Sequence, residues 1–100
     1  MDNVIPLRRP TVAEPEPLWR EAVGQQLRDE RMRRGERIAD VAGRAGVAPQ
    51  YLSELERGRK DPSSEVLSAV SGALGLRLVE LTGRAARRLS VSSSPVCLAA

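Results

Sequence analysis

The feature that most constrains this chain is a four-residue punctuation, Gly46-Val47-Ala48-Pro49, set between two short amphipathic runs. Upstream, apolar residues recur at Ile38, Val41, Ala42 and Ala45, the i, i+3, i+4, i+7 spacing of one helical face. Gly46 suits the left-handed stop of that helix, whereas Pro49, with fixed φ and no N–H to satisfy, suits the first position of the next. Only Val47 and Ala48 lie between them. Two short helices must therefore be joined by a tight turn.

The same reading divides the rest of the chain. A first helix, about 18–34, places Trp19, Val23, Leu27 and Arg31 on one face and stops at Gly35, so that an arginine falls on the apolar stripe. The second runs about 37–45 and the third about 49–57; the third buries Leu52 and Leu55, exposes Gln50, Ser53 and Glu54, and stops at Gly58. A fourth follows Asp61 and Pro62, with Ser63 as N-cap and Glu65 in the first turn, and packs Val66, Leu67, Val70 and Leu74. A fifth begins near Arg77 and continues through Leu78, Leu81, Ala85 and Leu89. The expected fold class is all-α, five helices, with flexible tails at both ends.

Residues 1–18 hold Pro6, Pro10, Pro15 and Pro17 without apolar periodicity and read as a flexible Pro-rich arm. The segment 19–83 is the expected domain; 84–100 reads as a basic, then apolar, tail whose first part is helical. Ser90 to Ser94 and Pro95 are expected to interrupt any helix there. A chain of 100 residues suits one compact domain, burying about two-thirds of its surface. Phe is absent and Trp19 and Tyr51 are the only aromatics, so Leu, Val, Ile and Ala must build the core.

Composition also narrows the function. With no His and Cys97 as the lone cysteine, the chain has no intrachain disulfide and no zinc or transition-metal ligand set; no cofactor is expected. A catalytic reading lacks materials: there is no phosphate-cradling Gly loop, and Ser53 beside Glu54 has no base to activate its hydroxyl. No apolar run approaches the roughly 20 residues of a membrane span, and the N-terminus lacks the apolar stretch of a secretory signal. A cytoplasmic, non-enzymatic protein is expected. The net charge of +3 is a weak signal, because basic and acidic residues nearly balance between Trp19 and Gly83; local clusters matter more for phosphate contact.

Two short helices around a Gly-containing turn, the second polar on its outer side, have the geometry to put one helix into a major groove about 12 Å wide. The run ADVAGRAGVAPQYLSELERGRKDPSSEVLSAVSGALGL resembles the Cro and lambda-repressor-like (Xre) family of DNA-binding domains along nearly its full length. The shared pattern is an Ala in the second helix, Gly in the turn, Leu-Ser-x-Leu-Glu-x-Gly ending the third helix and Pro-Ser opening the fourth. The resemblance implies a lambda-repressor-like fold in which residues 37–45 position and residues 49–57 recognise double-stranded DNA.

On that reading base contacts come from Ala48, Pro49, Gln50, Ser53 and Glu54. Gln50 can pair bidentately with adenine, Glu54 can accept from a cytosine amino group, Ser53 can bond either way, and Ala48 or Pro49 can meet a thymine methyl. Glu54 is repelled by nearby phosphates unless it finds its donor. Arg57, Arg59 and Lys60 lie where they can hold phosphates and set register. Tyr51 either adds a hydroxyl contact to the backbone or packs against the fourth helix. Arg33, Arg34 and Arg37 flank the second helix, on a solvated face or, for Arg37 above all, against the same backbone. The chain departs from the family pattern at Ala48, where Ser or Thr is usual, and at Ile38, where Gln is usual. Both departures remove polar contacts, so arginines or free N–H groups at helix ends must supply backbone affinity. The family also pairs a first-helix arginine with a glutamate ending the third helix, which implies a structural ion pair between Arg31 and Glu56.

PQYLSELERGRKDPSSEVL, the Pro-rich arm and the apolar end VCLAA are together similar to actinobacterial regulators that activate genes of the Clp protease. That resemblance implies transcriptional activation, contact with RNA polymerase, and removal by the Clp protease through the C-terminal residues. Leu98, Ala99 and Ala100 also resemble the end of the bacterial tag that marks stalled products for degradation. Cys97 reads as an exposed bystander, without a partner thiol or fixed basic neighbour. One recognition helix reads few base pairs, so a homodimer on a two-fold operator is expected, with half-sites about 34 Å apart or a multiple. Leu78, Leu81, Ala85 and Leu89 are the candidate apolar contact, although Leu78 and Leu81 can instead close the monomer core. The rival from another class is a protein-interaction module of the same fold, such as an antitoxin partner.

Overall fold

The computed structural model describes residues 18–93, with side chains through residue 90. Most of the Pro-rich arm, and Cys97, Leu98, Ala99 and Ala100, lie outside the described residues. The described chain forms α1 (Trp19–Arg33), α2 (Ile38–Ala45), α3 (Pro49–Glu56), α4 (Ser64–Ala73) and α5 (Leu78–Ser93).

Each boundary has a local cause. α1 opens where the Leu18 N–H donates to Glu21 Oε1 at 2.9 Å. At the end of α2, Gly46 adopts φ 75°, a conformation that costs a residue with a Cβ about 1–2 kcal/mol. The turn is then closed by the Val47 N–H donating to the Ala42 carbonyl at 3.0 Å, which satisfies an otherwise orphaned acceptor. Pro49 occupies the first turn of α3. Ser63 caps α4, its Oγ accepting from the Val66 N–H at 3.1 Å.

The core draws on every helix: Val23 and Leu27 from α1, Val41 and Ala42 from α2, Leu52 and Leu55 from α3, Leu67, Val70 and Leu74 from α4, Leu81 and Ala85 from α5. α1 packs against α3 and α5, while α2 packs against α3 and α4. Ile38 lies partly buried against this core.

Three expectations are corrected. Trp19, the first residue of α1, is 41% exposed, and the buried face begins at Ala22 and Val23. Helix α5 continues through Ser90 to Ser93, so serines alone do not break it. Ala85 is fully buried within the monomer and is not available to a second copy, while Leu81, also fully buried, takes the alternative of closing the monomer core.

The far half of α5 is held to α1 by charge. Arg88 Nε donates to Gln26 Oε1 at 2.9 Å and its guanidinium pairs with Asp29; Arg84 lies 3.4 Å from Glu30, which also pairs with Arg33. Two arginines of the expected basic tail are thus committed to carboxylates of α1. The hydrogen bond from Arg33, reinforced by the charges of Arg33, Arg84 and Arg34 against the opposing effect of burial, holds the Glu30 carboxyl below its ordinary value.

Candidate nucleic-acid interface

Helix α3 has two unlike sides because its apolar residues repeat three apart. Leu52, Leu55 and Glu56 turn inward. Ala48, Pro49, Gln50 and Arg57 are exposed, and Ser53 and Glu54 are half-buried between them. The structure therefore brings all five sequence-read base contacts to one side of one helix and its entry turn. Tyr51 is half-buried, packed on the edge of the core.

Two arginines fix how α3 is carried, and a third ties α2 to α4. Arg31 Nε donates to Glu56 Oε2 at 2.7 Å and Arg31 Nη2 to Glu56 Oε1 at 2.9 Å, while Arg31 Nη1 donates to the Glu36 carbonyl at 3.0 Å. This buried bidentate pair joins α1, α3 and the α1–α2 connection, and it answers the arginine on the apolar stripe. Arg20 Nε donates to the Gly58 carbonyl at 2.9 Å and lies 3.6 Å from Asp61, anchoring the loop after α3. Arg44 donates to the Ala73 carbonyl and, at 2.6 Å, to Glu36, tying the end of α2 to the end of α4. That bond, with a weaker one from Arg34, holds the Glu36 carboxyl below its ordinary value.

Arg20 and Arg44 escaped the sequence reading. Their carbonyl partners lie 38 and 29 residues away, and a backbone carbonyl has no residue type to flag it.

The cations divide into two groups. Arg33 pairs with Glu30, Arg34 with Glu36 and Arg37 with Asp40, so the arginines around the start of α2 carry compensated charge. Arg57 and Arg59 are exposed beside α3 and, among the described residues, take part in no ion pair. Lys60 Nζ lies 3.6 Å from Glu54 Oε1, and Gln50 Nε2 donates to Glu54 Oε2 at 3.3 Å. Glu54 has thus found its donors within the protein. The N-cap positions of α2 and α3, Arg37 and Ala48, make no side-chain cap, which leaves first-turn N–H groups of both helices without one. A polar helix face, flanked by exposed guanidinium groups and uncapped helix starts, is chemically suited to an anionic, hydrogen-bonding duplex.

A helix-turn-helix family profile (HTH_3) matches residues 27–81, from α1 into α5. The chain belongs to the Xre-type helix-turn-helix family. This helix-turn-helix chain is 54% identical over 61 residues to the transcriptional regulator ClgR of Mycobacterium tuberculosis, a match covering 61% of the chain and 54% of that protein. It is 42% identical over 57 residues to the HTH-type transcriptional regulator DdrOP3 of Deinococcus deserti, covering 57% and 44% respectively. The chain therefore spans about half the length of the curated relatives it matches. Among solved structures, the clp gene regulator ClgR from Corynebacterium glutamicum superposes with a TM-score of 0.76 at 44% identity, covering 85% of this chain and 90% of that one. The resemblance read from the sequence and the structural neighbour agree on a five-helix, lambda-repressor-like domain.

Proposed function

We propose that this protein binds double-stranded DNA sequence-specifically and thereby regulates transcription. The observation that carries this reading is the outward side of α3, where Gln50, Ser53 and Glu54 stand together beside Arg57 and Arg59, which take part in no ion pair among the described residues. Gln50 is the principal base contact, with Ala48, Pro49, Ser53 and Glu54 around it. Arg57, Arg59, Lys60, Tyr51 and Arg37 hold phosphates, and the domain occupies residues 19–83 together with the rest of α5.

The chain acts as a homodimer on a two-fold operator. With Leu81 and Ala85 committed to the core, the exposed Val79 together with the partly buried Leu78 and Leu89 of α5 supplies the apolar contact for a second copy. Similarity to the clp gene regulator ClgR supports genes of the Clp protease as targets, and activation through contact with RNA polymerase is the mode put forward with it. Removal by the Clp protease through Leu98, Ala99 and Ala100, and a cytoplasmic location, complete the proposal. No single described helix is long and apolar enough to cross a membrane.

The deciding experiment is selection of bound duplexes from a random pool at two salt concentrations, with Gln50→Ala as control. A two-fold site that loses definition at one position in the control supports the reading. Salt-sensitive binding without an enriched site would overturn it in favour of a protein-interaction module.

A further inference from the structure

Gln50 and Glu54 stand one turn apart on α3, and the Gln50 amide nitrogen donates to Glu54 Oε2 at 3.3 Å. The other carboxylate oxygen faces Lys60 Nζ at 3.6 Å. An ionised carboxylate only accepts, whereas a glutamine amide has one donating end and one accepting end of nearly equal size. Glu54 therefore decides which way round the amide of Gln50 sits: nitrogen toward the carboxylate, with Oε1 and the second N–H left for another partner.

That remaining pair of groups has the pattern of the adenine major-groove edge, which offers N7 as acceptor and the N6 amino group as donor. Guanine offers two acceptors, N7 and O6, so the fixed Oε1 would oppose an acceptor. An unrestrained amide can turn its nitrogen toward either guanine atom and lose the distinction. We infer that Glu54 is a positioning residue that orients the Gln50 amide and thereby sets a choice of adenine over guanine, with Lys60 holding the carboxylate in place. The inference rests on Gln50 as a base contact and refines it: Glu54 acts through its neighbour and not as a reader of its own base.

The test is competition between duplexes of the selected site that differ, adenine against guanine, at the position whose definition Gln50→Ala abolishes. Wild type, Glu54→Gln and Glu54→Ala are compared, with thermal melting to confirm that each variant is folded. A neutral amide at 54 can donate as well as accept, so Glu54→Gln keeps a contact but no longer orients Gln50. In both variants the adenine preference falls by about fivefold or more, while affinity for either duplex rises because a negative charge near phosphates is gone. Higher affinity with an unchanged adenine preference would reduce Glu54 to a charge effect and overturn the inference, leaving Gln50 as reader. Loss of a cytosine preference at a neighbouring position, with adenine retained, would make Glu54 a direct reader and also overturn it. If Gln50→Ala alters no position, the reading of Gln50 fails and the inference fails with it.

Discussion

Gly24 of α1 and Leu55 of α3 meet backbone to backbone: a Cβ on Gly24 would lie 2.2 Å from the Leu55 carbonyl oxygen and 2.8 Å from that of Glu56. Those carbonyls belong to the last turn of α3 and cannot swing aside as a side chain can. Gly24→Ala must therefore push α1 and α3 apart, costing at least the roughly 1–3 kcal/mol typical of overpacking. A urea midpoint well below that of the parent is expected, together with weaker DNA binding because α3 is displaced. An unchanged midpoint would mean that the two helices separate freely.

The ion pair between Arg31 and Glu56 sits beside that contact, with both side chains almost wholly withdrawn from water. Removing one partner strands a buried charge, so Glu56→Ala should lose about 3–5 kcal/mol. Replacing both with apolar residues of similar volume should recover most of that loss. Chemical denaturation of the single and double variants tests the pair, and equal stability of Glu56→Ala and wild type would refute its structural role.

The clasp between α1 and α5 predicts a pH dependence. Hydrogen bonding from Arg33 and the neighbouring arginine charges depress the folded-state pKa of Glu30 below its ordinary value of 4.5. The folded state then releases this proton more readily than the unfolded chain, so the stabilisation is fully present above about pH 4.5 and is lost as pH falls through the lower folded value. Thermal melts between pH 7 and pH 3 should show this loss, and Glu30→Gln should flatten that acid limb. An identical acid limb in the variant would place the effect on other carboxylates.

Arg57 and Arg59 can be separated from the base readers by salt. Each phosphate contact removed should lower the slope of log affinity against log salt by about 0.9 without changing sequence preference. Arg57→Ala and Arg59→Ala should therefore bind specific and random duplexes proportionately more weakly. A changed preferred sequence in either variant would assign that arginine to a base.

Much of this was legible in the chain itself. The order of five helices follows from Gly35, Gly46 and Gly58 as stops, Pro49 and Ser63 as starts, and apolar spacing between them, because capping and amphipathicity are local properties written within a few residues. The outward side of α3 was legible for the same reason: once Leu52 and Leu55 turn inward, Gln50, Ser53 and Glu54 must turn outward. Arg31 betrayed itself as a charge on an apolar stripe, and the family resemblance implied Glu56 as its partner. Tertiary structure alone decided what depended on partners distant in sequence. It exposed Trp19, whose stripe position says nothing of where the neighbouring helix ends. It buried Leu81 and Ala85 in the monomer, drew Arg84 and Arg88 to α1, and set Arg20 and Arg44 on carbonyls of the turn after α3 and the end of α4. Periodicity fixes the direction of a side chain from its own helix axis, but only packing determines what stands there to meet it.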